Sequence, residues 1–402
     1  MAKANALTKP ESMVAALKQI LQLCRQPALA IWVLYIVLSP FYVVHGGLPQ
    51  PGDALIFLLV PVALIRWSGR LERTSVHAMQ PLLWFTYWVC LVNLGWAIYI
   101  ARFSIDLIYS FYYIYNTALF LAVLVMYQRW KNAFLKLTVQ IVFFTVLFQV
   151  AASFVIRGGT RNALFFSNPN QLGYYALLSG CILVLTQRQL GAGLVRSSIG
   201  LTGCAYLAVL SASRSALSGI ALLAVLLFFS NPRVFITAAI VAIMLTFAGG
   251  PLSNSVDALS RRFSENRAPD KSFFEQRGYD RIWSNKEYLL TGAGEGNTAR
   301  FAETTAIGLG EIHSSAGTVL FSYGMVGVAL FLAFIWRVLR GAPLRSSLIL
   351  LPPLIYGFAH QGLRFTMLWV LLAIFVALKG PAKALASKKS STPPELRPIV
   401  SV

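Results

Sequence analysis

The sequence is poor in the residue types on which many soluble enzymes depend. Only 12% of its 402 residues are charged, and it contains four histidines and four cysteines. The cysteines lack the CxxC spacing of a redox or zinc site, and three of them fall inside apolar runs, which argues against a disulfide framework. P-loops, GxGxxG turns and HExxH zinc motifs are also absent from the sequence. We therefore predict no bound metal and no nucleotide cofactor.

Apolar residues dominate the composition instead. They make up 57% of the chain, and the mean hydropathy is +0.66. A soluble domain of this size has no use for so much apolar surface, so the composition indicates a polytopic membrane protein. We predict an all-α transmembrane helical bundle of about ten to twelve spans, with twelve as the best count. The predicted spans are 28–44, 54–67, 81–100, 107–127, 134–156, 171–187, 198–212, 215–230, 233–249, 315–336, 346–360 and 363–378, of which 198–212 and 215–230 also fit one broken helix.

The distribution of charge predicts the orientation of the bundle. The net charge is +20, and most lysines and arginines fall in alternate connecting segments, which the positive-inside rule places in the cytoplasm. Basic charge arranged in this way reports topology and gives no reason to expect a nucleic-acid partner. Both termini are then cytoplasmic, and a loop of about sixty residues faces the opposite side. The predicted divisions are a cytoplasmic segment 1–27, transmembrane helices in 28–249, the long loop 250–313, transmembrane helices in 314–378 and a disordered basic tail 379–402.

Polar motifs gather on the face opposite the cytoplasm. The long loop carries RGYDRIWSNKEYLLTGAGEG and ends at His313, where the next helix begins. A long structured loop usually carries function, and a partly desolvated imidazole exchanges a proton near neutral pH. The other polar pieces on this face are RGGTRNALFFSNPNQLG (157–173), the SASRSAL turn around Arg214, and HQGLR (360–364).

Several of these pieces together resemble the O-antigen ligase and polymerase superfamily of bacterial inner-membrane glycosyltransferases. They are SASRSALSG at a helix start, an arginine followed by Trp and the GAGEG turn in the long loop, and His313 followed by SSAGTVLFSYGMVGVALF. FSNPNQLGYYALL is similar to the N-P-N segment of that family. The resemblance covers about residues 157–336. Two features depart from it: many members have His-Asn where this chain has His-Ser, and both Arg277 and Arg281 fit the loop arginine.

The resemblance implies transfer of a glycan from undecaprenyl diphosphate to an acceptor hydroxyl at the periplasmic face, without a metal or a nucleotide sugar. Expulsion of a diphosphate needs cations that neutralise its growing charge. Arg214, at a helix N-terminus, suits that role because its planar fork pairs two phosphate oxygens. His313 suits the role of the base that takes the proton from the acceptor. The expected partners are the lipid-linked oligosaccharide donor, a glycan or lipid-core acceptor, membrane lipids and a chain-length regulator.

Each candidate residue also has a structural interpretation. His313 is either catalytic or a helix cap, and Arg214 either binds diphosphate or snorkels to the membrane interface. Glu295 either orients the acceptor or is a solvated turn carboxylate. The remaining candidates are Arg277 and Arg281 as competing phosphate contacts in a solvated loop, Arg161 as a second phosphate contact, Arg364 with less weight, and the cluster Tyr112, Tyr113 and Tyr115, which fits an interfacial aromatic belt better than a sugar-stacking platform.

Two activities share these motifs. A polymerase extends a lipid-linked chain of repeat units, whereas a ligase moves the finished glycan to a lipid A–core acceptor. The segment GGLPQPGD (46–53) resembles exopolysaccharide-type members, so a polymerase is the preferred prediction. A lipid-linked glycan flippase would also be polytopic with intramembrane cations, but it would not need the long loop that holds the best motifs. A small-solute transporter should show related halves, and none are visible in the sequence.

Overall fold

The structure is a computed structural model that describes residues 21–44, 50–65, 67, 69–101, 103–156, 161–191, 193–247, 252–264, 272–304 and 310–379. Every regular element in these ranges is helical, which confirms the predicted all-α class. The predicted basic tail, with Lys383, Lys388 and Lys389, lies outside the described residues, as do most of the N-terminal segment and the first half of GGLPQPGD. The α-helices are α1 (Pro27–Leu38), α2 (Pro51–Ile65), α3 (Arg73–Ile100), α4 (Phe103–Val155), α5 (Pro169–Leu190), α6 (Leu194–Leu210), α7 (Arg214–Ser230), α8 (Pro232–Phe247), α9 (Leu252–Ser264), α10 (Phe273–Gln276), α11 (Asp280–Ser284), α12 (Ser315–Leu339), α13 (Leu344–Ser347), α14 (Leu351–Ala359) and α15 (Thr366–Leu378). Short 3-10 turns cover Lys286–Tyr288, Thr298–Thr304 and Leu348–Leu350.

Three of the described helices are long and apolar enough to cross a membrane: α3, the part of α4 from Leu107 to Val155, and α12. This property fits membrane insertion. The long helix α4 breaks at Lys131, where φ is 43°, so its two halves correspond to two separately predicted spans. The helices α6 and α7 are distinct, so the region predicted as either one broken span or two contains two helices. The predicted span 346–360 is divided among α13, a 3-10 turn and α14. The count of twelve spans stays a prediction.

Helix α15 lies at the centre of the bundle. All of its residues from Met367 to Ala377 are buried, and it packs against α3, α4, α5 and α12. A helix that is apolar on every side is stable in such a position because it has no polar face to solvate. The indole N–H of Trp369 donates to the Leu363 carbonyl at 2.7 Å, which ties the HQGLR loop to the end of this central helix.

Helix α12 is interrupted at Gly324, where φ is 65°, and the interruption anchors the long loop. The N–H of Met325 donates outside the helix, to the Leu289 carbonyl at 2.8 Å. Its usual helical acceptor, the carbonyl of Phe321, instead accepts the N–H of Ala293 at 2.9 Å. The loop backbone and the broken helix thus satisfy each other's hydrogen bonds, as buried backbone groups must.

Glycines make this docking possible. A Cβ on Gly324 would overlap the carbonyl group of Leu290, and a Cβ on Gly292 would overlap the backbone of Ser322 and Tyr323. Both glycines also have positive φ, which side chains disfavour. The GAGEG turn is therefore built into the helical bundle.

The long loop also contributes a small apolar core of its own. Four of its residues pack with Phe321, near the start of α12. Because this cluster joins the loop to a bundle helix, the described part of the loop has a fixed position over one end of the bundle. The four loop residues are Ile282, Ala293, Phe301 and Ile312.

Candidate functional site

His313 directly precedes α12, but the helix cap is its neighbour Ser314. The Ser314 Oγ accepts the N–H of Gly317 at 3.1 Å and also bonds to the hydroxyl of Tyr279 at 2.6 Å. Serine and asparagine both serve as N-caps, so His-Ser here and His-Asn in the resembled family build the same local structure. The interpretation of His313 as a cap does not hold. Its imidazole is exposed, and none of the side-chain hydrogen bonds found among the described residues uses it.

The surroundings of His313 disfavour the protonated form of its imidazole. The backbone N–H of His313 donates to the Arg277 carbonyl at 2.9 Å, which places the two residues side by side. Partial burial lowers the pKa of His313 below its ordinary value, and the charges of Arg277 and Arg281 act in the same direction, while Glu311 opposes them. A neutral imidazole at neutral pH is the form that accepts a proton.

We expect the pKa of His313 to respond in opposite directions to two neighbouring substitutions. Arg277→Gln removes a positive charge, so the pKa should rise, whereas Glu311→Gln removes a negative charge, so the pKa should fall. NMR titration of histidine-labelled protein, with the signal assigned through His313→Asn, measures both. The unmodified protein should titrate below pH 6.5, the ordinary value, and protonation there should destabilise the fold as the pH falls. A pKa that neither substitution moves would place these charges away from the ring.

The two loop arginines occupy different environments. Arg277 is half-exposed and lies beside His313, with its guanidinium 5.7 Å from the centre of the Phe273 ring. Arg281 is only 3% exposed, and it donates to the Gly310 carbonyl at 2.6 Å. The prediction of a solvated Arg281 is therefore wrong, because the loop folds back over that side chain. Of the two arginines, Arg277 is the one accessible to a ligand beside His313.

The N-P-N segment positions Arg161. Asn168 caps α5 by accepting the N–H of Gln171 at 3.1 Å, and Pro169 occupies the first helical position, where a missing N–H costs nothing. The side-chain oxygen of the next residue, Asn170, accepts a hydrogen bond from Arg161 at 2.9 Å. The motif thus starts a helix and orients a guanidinium at the same place.

Arg214 begins α7 close to Arg161. Helices α5 and α7 approach each other closely there, since a Cβ on Gly173 would overlap Ser211 and Ala216. Burial lowers the pKa of Arg161, and the positive charge of Arg214 acts in the same direction, so the two guanidiniums lie within electrostatic range. Two guanidiniums close together are an arrangement that attracts a multiply charged anion.

Tyr356 and His360 connect this arginine pair with His313. The Tyr356 hydroxyl donates to the Asn170 carbonyl at 3.1 Å, and its ring stacks on that of His360 at 4.8 Å. The His360 carbonyl in turn accepts the N–H of Ser315 at 3.1 Å, two residues after His313. The arginine pair and the imidazole therefore lie at the same end of the bundle. We call Arg161, Arg214 and Arg277 the basic rim.

Glu295 lies in the bundle interior, so its interpretation as a solvated turn carboxylate is wrong. Its side chain is 5% exposed. One carboxylate oxygen accepts from the hydroxyls of Tyr323 at 2.6 Å and Tyr113 at 3.2 Å. The other accepts from two nitrogens of Arg364, the closer at 2.5 Å, and the Glu295 N–H donates to the Asn93 side chain at 2.9 Å. Because its donors come from two helices and the HQGLR loop, this carboxylate fixes the GAGEG turn against them.

Arg364 joins Glu295 to a second carboxylate, that of Glu311. Its guanidinium lies 2.9 Å from Glu311, which also accepts from the Tyr109 hydroxyl at 2.7 Å. Burial by itself raises the pKa of Glu311, but Arg364, the Tyr109 hydrogen bond and His313 outweigh it and lower the pKa below its ordinary value. Because Glu311 is two residues before His313, Arg364 holds the segment that carries the imidazole. A cavity of about 20 Å³, room for one water molecule, lies between these charged groups.

The structure therefore brings most of the predicted candidates together and changes which of them are candidates for contact with a ligand. His313 and the basic rim share one end of the bundle, whereas Glu295 and Arg281 are buried beside them. Arg364, which the sequence analysis gave little weight, is at the centre of the ion-pair network. The signal for it was present, since a charge between two apolar runs is costly unless it is paired. Among the residues that the structure describes, no group of three or more His, Cys, Asp or Glu side chains could hold a metal ion.

No family model matches this chain, and no curated protein matches it. The resemblance to the ligase and polymerase superfamily therefore remains a prediction from the motifs. The fold defines the protein as an all-helical chain with helices suited to a membrane.

Proposed function

We propose that this protein is a bacterial inner-membrane glycosyltransferase that acts at the periplasmic face on glycans linked to undecaprenyl diphosphate. The observation that supports the proposal best is that an exposed imidazole lies close to three arginines at one end of an apolar bundle. A lipid diphosphate matches this arrangement because its anionic head group sits at the membrane surface while its chain stays in hydrocarbon.

The proposed reaction displaces the lipid diphosphate from the anomeric carbon of the donor sugar. The acceptor hydroxyl oxygen attacks that carbon, its proton passes to His313, and the bond between the anomeric carbon and the diphosphate oxygen breaks. The bonding electrons leave with undecaprenyl diphosphate, whose added charge the basic rim neutralises. The proposed reaction uses no metal ion, cofactor or nucleotide sugar. After the transfer, the protonated imidazole releases its proton to water.

Between the two acceptor types, we propose the polymerase of exopolysaccharide or O-antigen repeat units, with the O-antigen ligase as the alternative. Purified protein in lipid nanodiscs distinguishes them. A polymerase lengthens the glycan on undecaprenyl diphosphate when supplied with donor alone, whereas a ligase needs a lipid A–core acceptor and labels that acceptor. The absence of transfer under both conditions, with folded protein and natural donor, would contradict the proposed activity.

Arg214→Ala should abolish transfer and weaken binding of the lipid diphosphate, while the protein still accumulates in the membrane. Arg214→Lys should restore little activity, because an ammonium cannot pair two phosphate oxygens as the planar fork does. The matched control is Arg345→Ala, an exposed arginine in the short helix α13, which should leave transfer unchanged. Transfer is expected to persist in the presence of a chelator. Full activity of Arg214→Ala would assign this residue to membrane snorkelling instead.

The proposed topology makes a separate prediction. Cysteine tags at positions 270 and 305 should react with an impermeant reagent from the periplasm, and a tag at Lys383 or Lys389 should react only from the cytoplasm. An untagged chain and a chain tagged in the 341–343 turn serve as controls for leakage. If the long loop and the tail reacted from the same side, an even number of spans would lie between them instead of the predicted three, and the proposed active face would be lost.

A further inference from the structure

We propose that Tyr112 is the floor of a sugar-binding subsite for the acceptor glycan, flanked by Tyr109 and Glu311 on one side and by Tyr42 and Asp53 on the other. The inference rests on the proposed function and adds to it where the acceptor lies and what chemistry it has. It gives a role to the FYYIYN cluster of α4, which the proposed reaction leaves without one.

Tyr112 lies where two polar clusters meet. On one side, the Arg364 guanidinium is 5.9 Å from the centre of the Tyr112 ring and 4.6 Å from that of Tyr109, and Arg364 pairs with Glu311. On the other side, the Asp53 carboxylate accepts from the hydroxyl of Tyr115 at 2.8 Å, one helical turn after Tyr112. Tyr109 lies one turn before Tyr112 on α4, whereas Glu311, Arg364 and Asp53 come from three other segments of the chain, and a membrane-interface belt needs no such convergence.

The second side of the subsite is also fixed by hydrogen bonds. Asp53 accepts from the hydroxyl of Tyr115 at 2.8 Å and from the N–H of Gln50 at 2.8 Å. The ring of Tyr42 packs against those of Phe166 and Phe365, with ring centres 5.3 Å and 6.4 Å away. Held in this way, Asp53 and Tyr42 lose little freedom when a ligand binds beside them.

The residues around Tyr112 offer the two contacts that a pyranose ring uses. Tyr112, Tyr109 and Tyr42 each keep part of their surface exposed. A tyrosine ring exposed in this way can pack against the apolar C–H face of a sugar. Carboxylates accept hydrogen bonds from the hydroxyls at the ring edge. Asn116 lies one helical turn after Tyr112, on the same face of α4. It is 1% exposed, and its side-chain oxygen has no hydrogen-bond partner among the described residues.

Charge defines the class of sugar that this subsite accepts. The charged groups around it are the carboxylates of Glu295, Glu311 and Asp53 and the guanidiniums of Arg364 and Arg281, so their sum is one negative charge. A uronate would be repelled there, whereas a neutral or amino sugar would not. The site therefore has two parts of opposite charge. The basic rim binds the anionic donor, and the tyrosines and carboxylates bind an acceptor sugar that has no carboxylate. His313 lies between these two parts.

Direct binding of simple sugars to the full-length protein in nanodiscs tests the subsite without any lipid diphosphate. The probes are the methyl glycosides of glucose, galactose, mannose and N-acetylglucosamine, together with methyl glucuronide, and the readout is saturation-transfer NMR titration. We expect at least one neutral probe to bind and methyl glucuronide to bind at least about tenfold more weakly. Tyr112→Ala should weaken the neutral probe about tenfold through loss of the ring face, and Tyr112→Phe should keep most of the affinity.

The controls separate this subsite from a structural role and from the proposed reaction. Tyr87→Ala removes an exposed tyrosine from the outer face of α3 and should leave sugar binding unchanged. Arg214→Ala should weaken binding of the lipid diphosphate and leave sugar binding intact. Loss of sugar binding in Tyr112→Ala supports the subsite even if no glycan transfer is found, which would contradict the proposed reaction alone. Unchanged sugar binding in a folded Tyr112→Ala, or no binding of any neutral probe, would overturn the subsite even if transfer is found.

Discussion

Replacement of His313 by alanine is expected to lower the turnover of glycan transfer by roughly 10²–10⁴-fold, the usual loss when a positioned proton acceptor is removed. Binding of the lipid diphosphate should change little, because the basic rim holds the anion and the imidazole does not. Transfer is measured in nanodiscs with matched amounts of folded protein, and donor binding is measured beside it.

The variant His313→Asn distinguishes chemistry from local structure. Asparagine keeps a polar side chain before α12 but takes up no proton at neutral pH, so it should be nearly as damaging as alanine. Ser314 already caps the helix, so neither substitution should lower the folded yield. The matched control Ser314→Asn exchanges one N-cap for another and should keep most of the activity. An active His313→Asn variant would end the interpretation of this residue as the general base.

Removal of the Arg364 guanidinium should have the largest effect on stability. Arg364→Ala leaves the carboxylate of Glu295 buried without its cation, which typically costs about 3–5 kcal/mol, so the folded yield and the unfolding temperature should both fall. Glu295→Gln should cost less, because the amide still bonds to Tyr323 and Tyr113, and Arg364 keeps Glu311. The double variant Glu295→Gln with Arg364→Met should recover part of the loss, since neither residue then carries a charge.

An exposed ion pair supplies the comparison for this prediction. Glu72 and Lys131 also form a salt bridge, with a nitrogen–oxygen distance of 2.6 Å, but both side chains reach solvent. Glu72→Gln should therefore change stability by less than about 1 kcal/mol. Thermal unfolding in detergent measures each variant. If Glu295→Gln abolished transfer while the unfolding temperature stayed unchanged, Glu295 would have a chemical role beside its structural one.

Signals that act over one helical turn were readable from the sequence. Asn168 and Pro169 mark the start of α5, and the apolar runs mark the helices, because capping and helical periodicity depend only on near neighbours. The positions of His313 and Arg214 at helix starts follow from the same local patterns. The sequence thereby predicted an all-α protein with membrane-compatible helices and a cluster of candidate residues at helix ends.

The partners of the buried charges depended on the tertiary structure. Arg364 and Glu295 are 69 residues apart in the chain, so no local pattern relates them. The glycines of the GAGEG turn predicted only a turn, and they did not reveal that Gly324 breaks α12 and lets that turn enter the bundle. Arg277 and Arg281 are alike in sequence, yet the first is partly exposed and the second buried, because the loop folds over only one of them. Composition and spacing determined the class of protein and its candidate residues, while long-range packing decided which of them are exposed, since burial is a property of the whole fold.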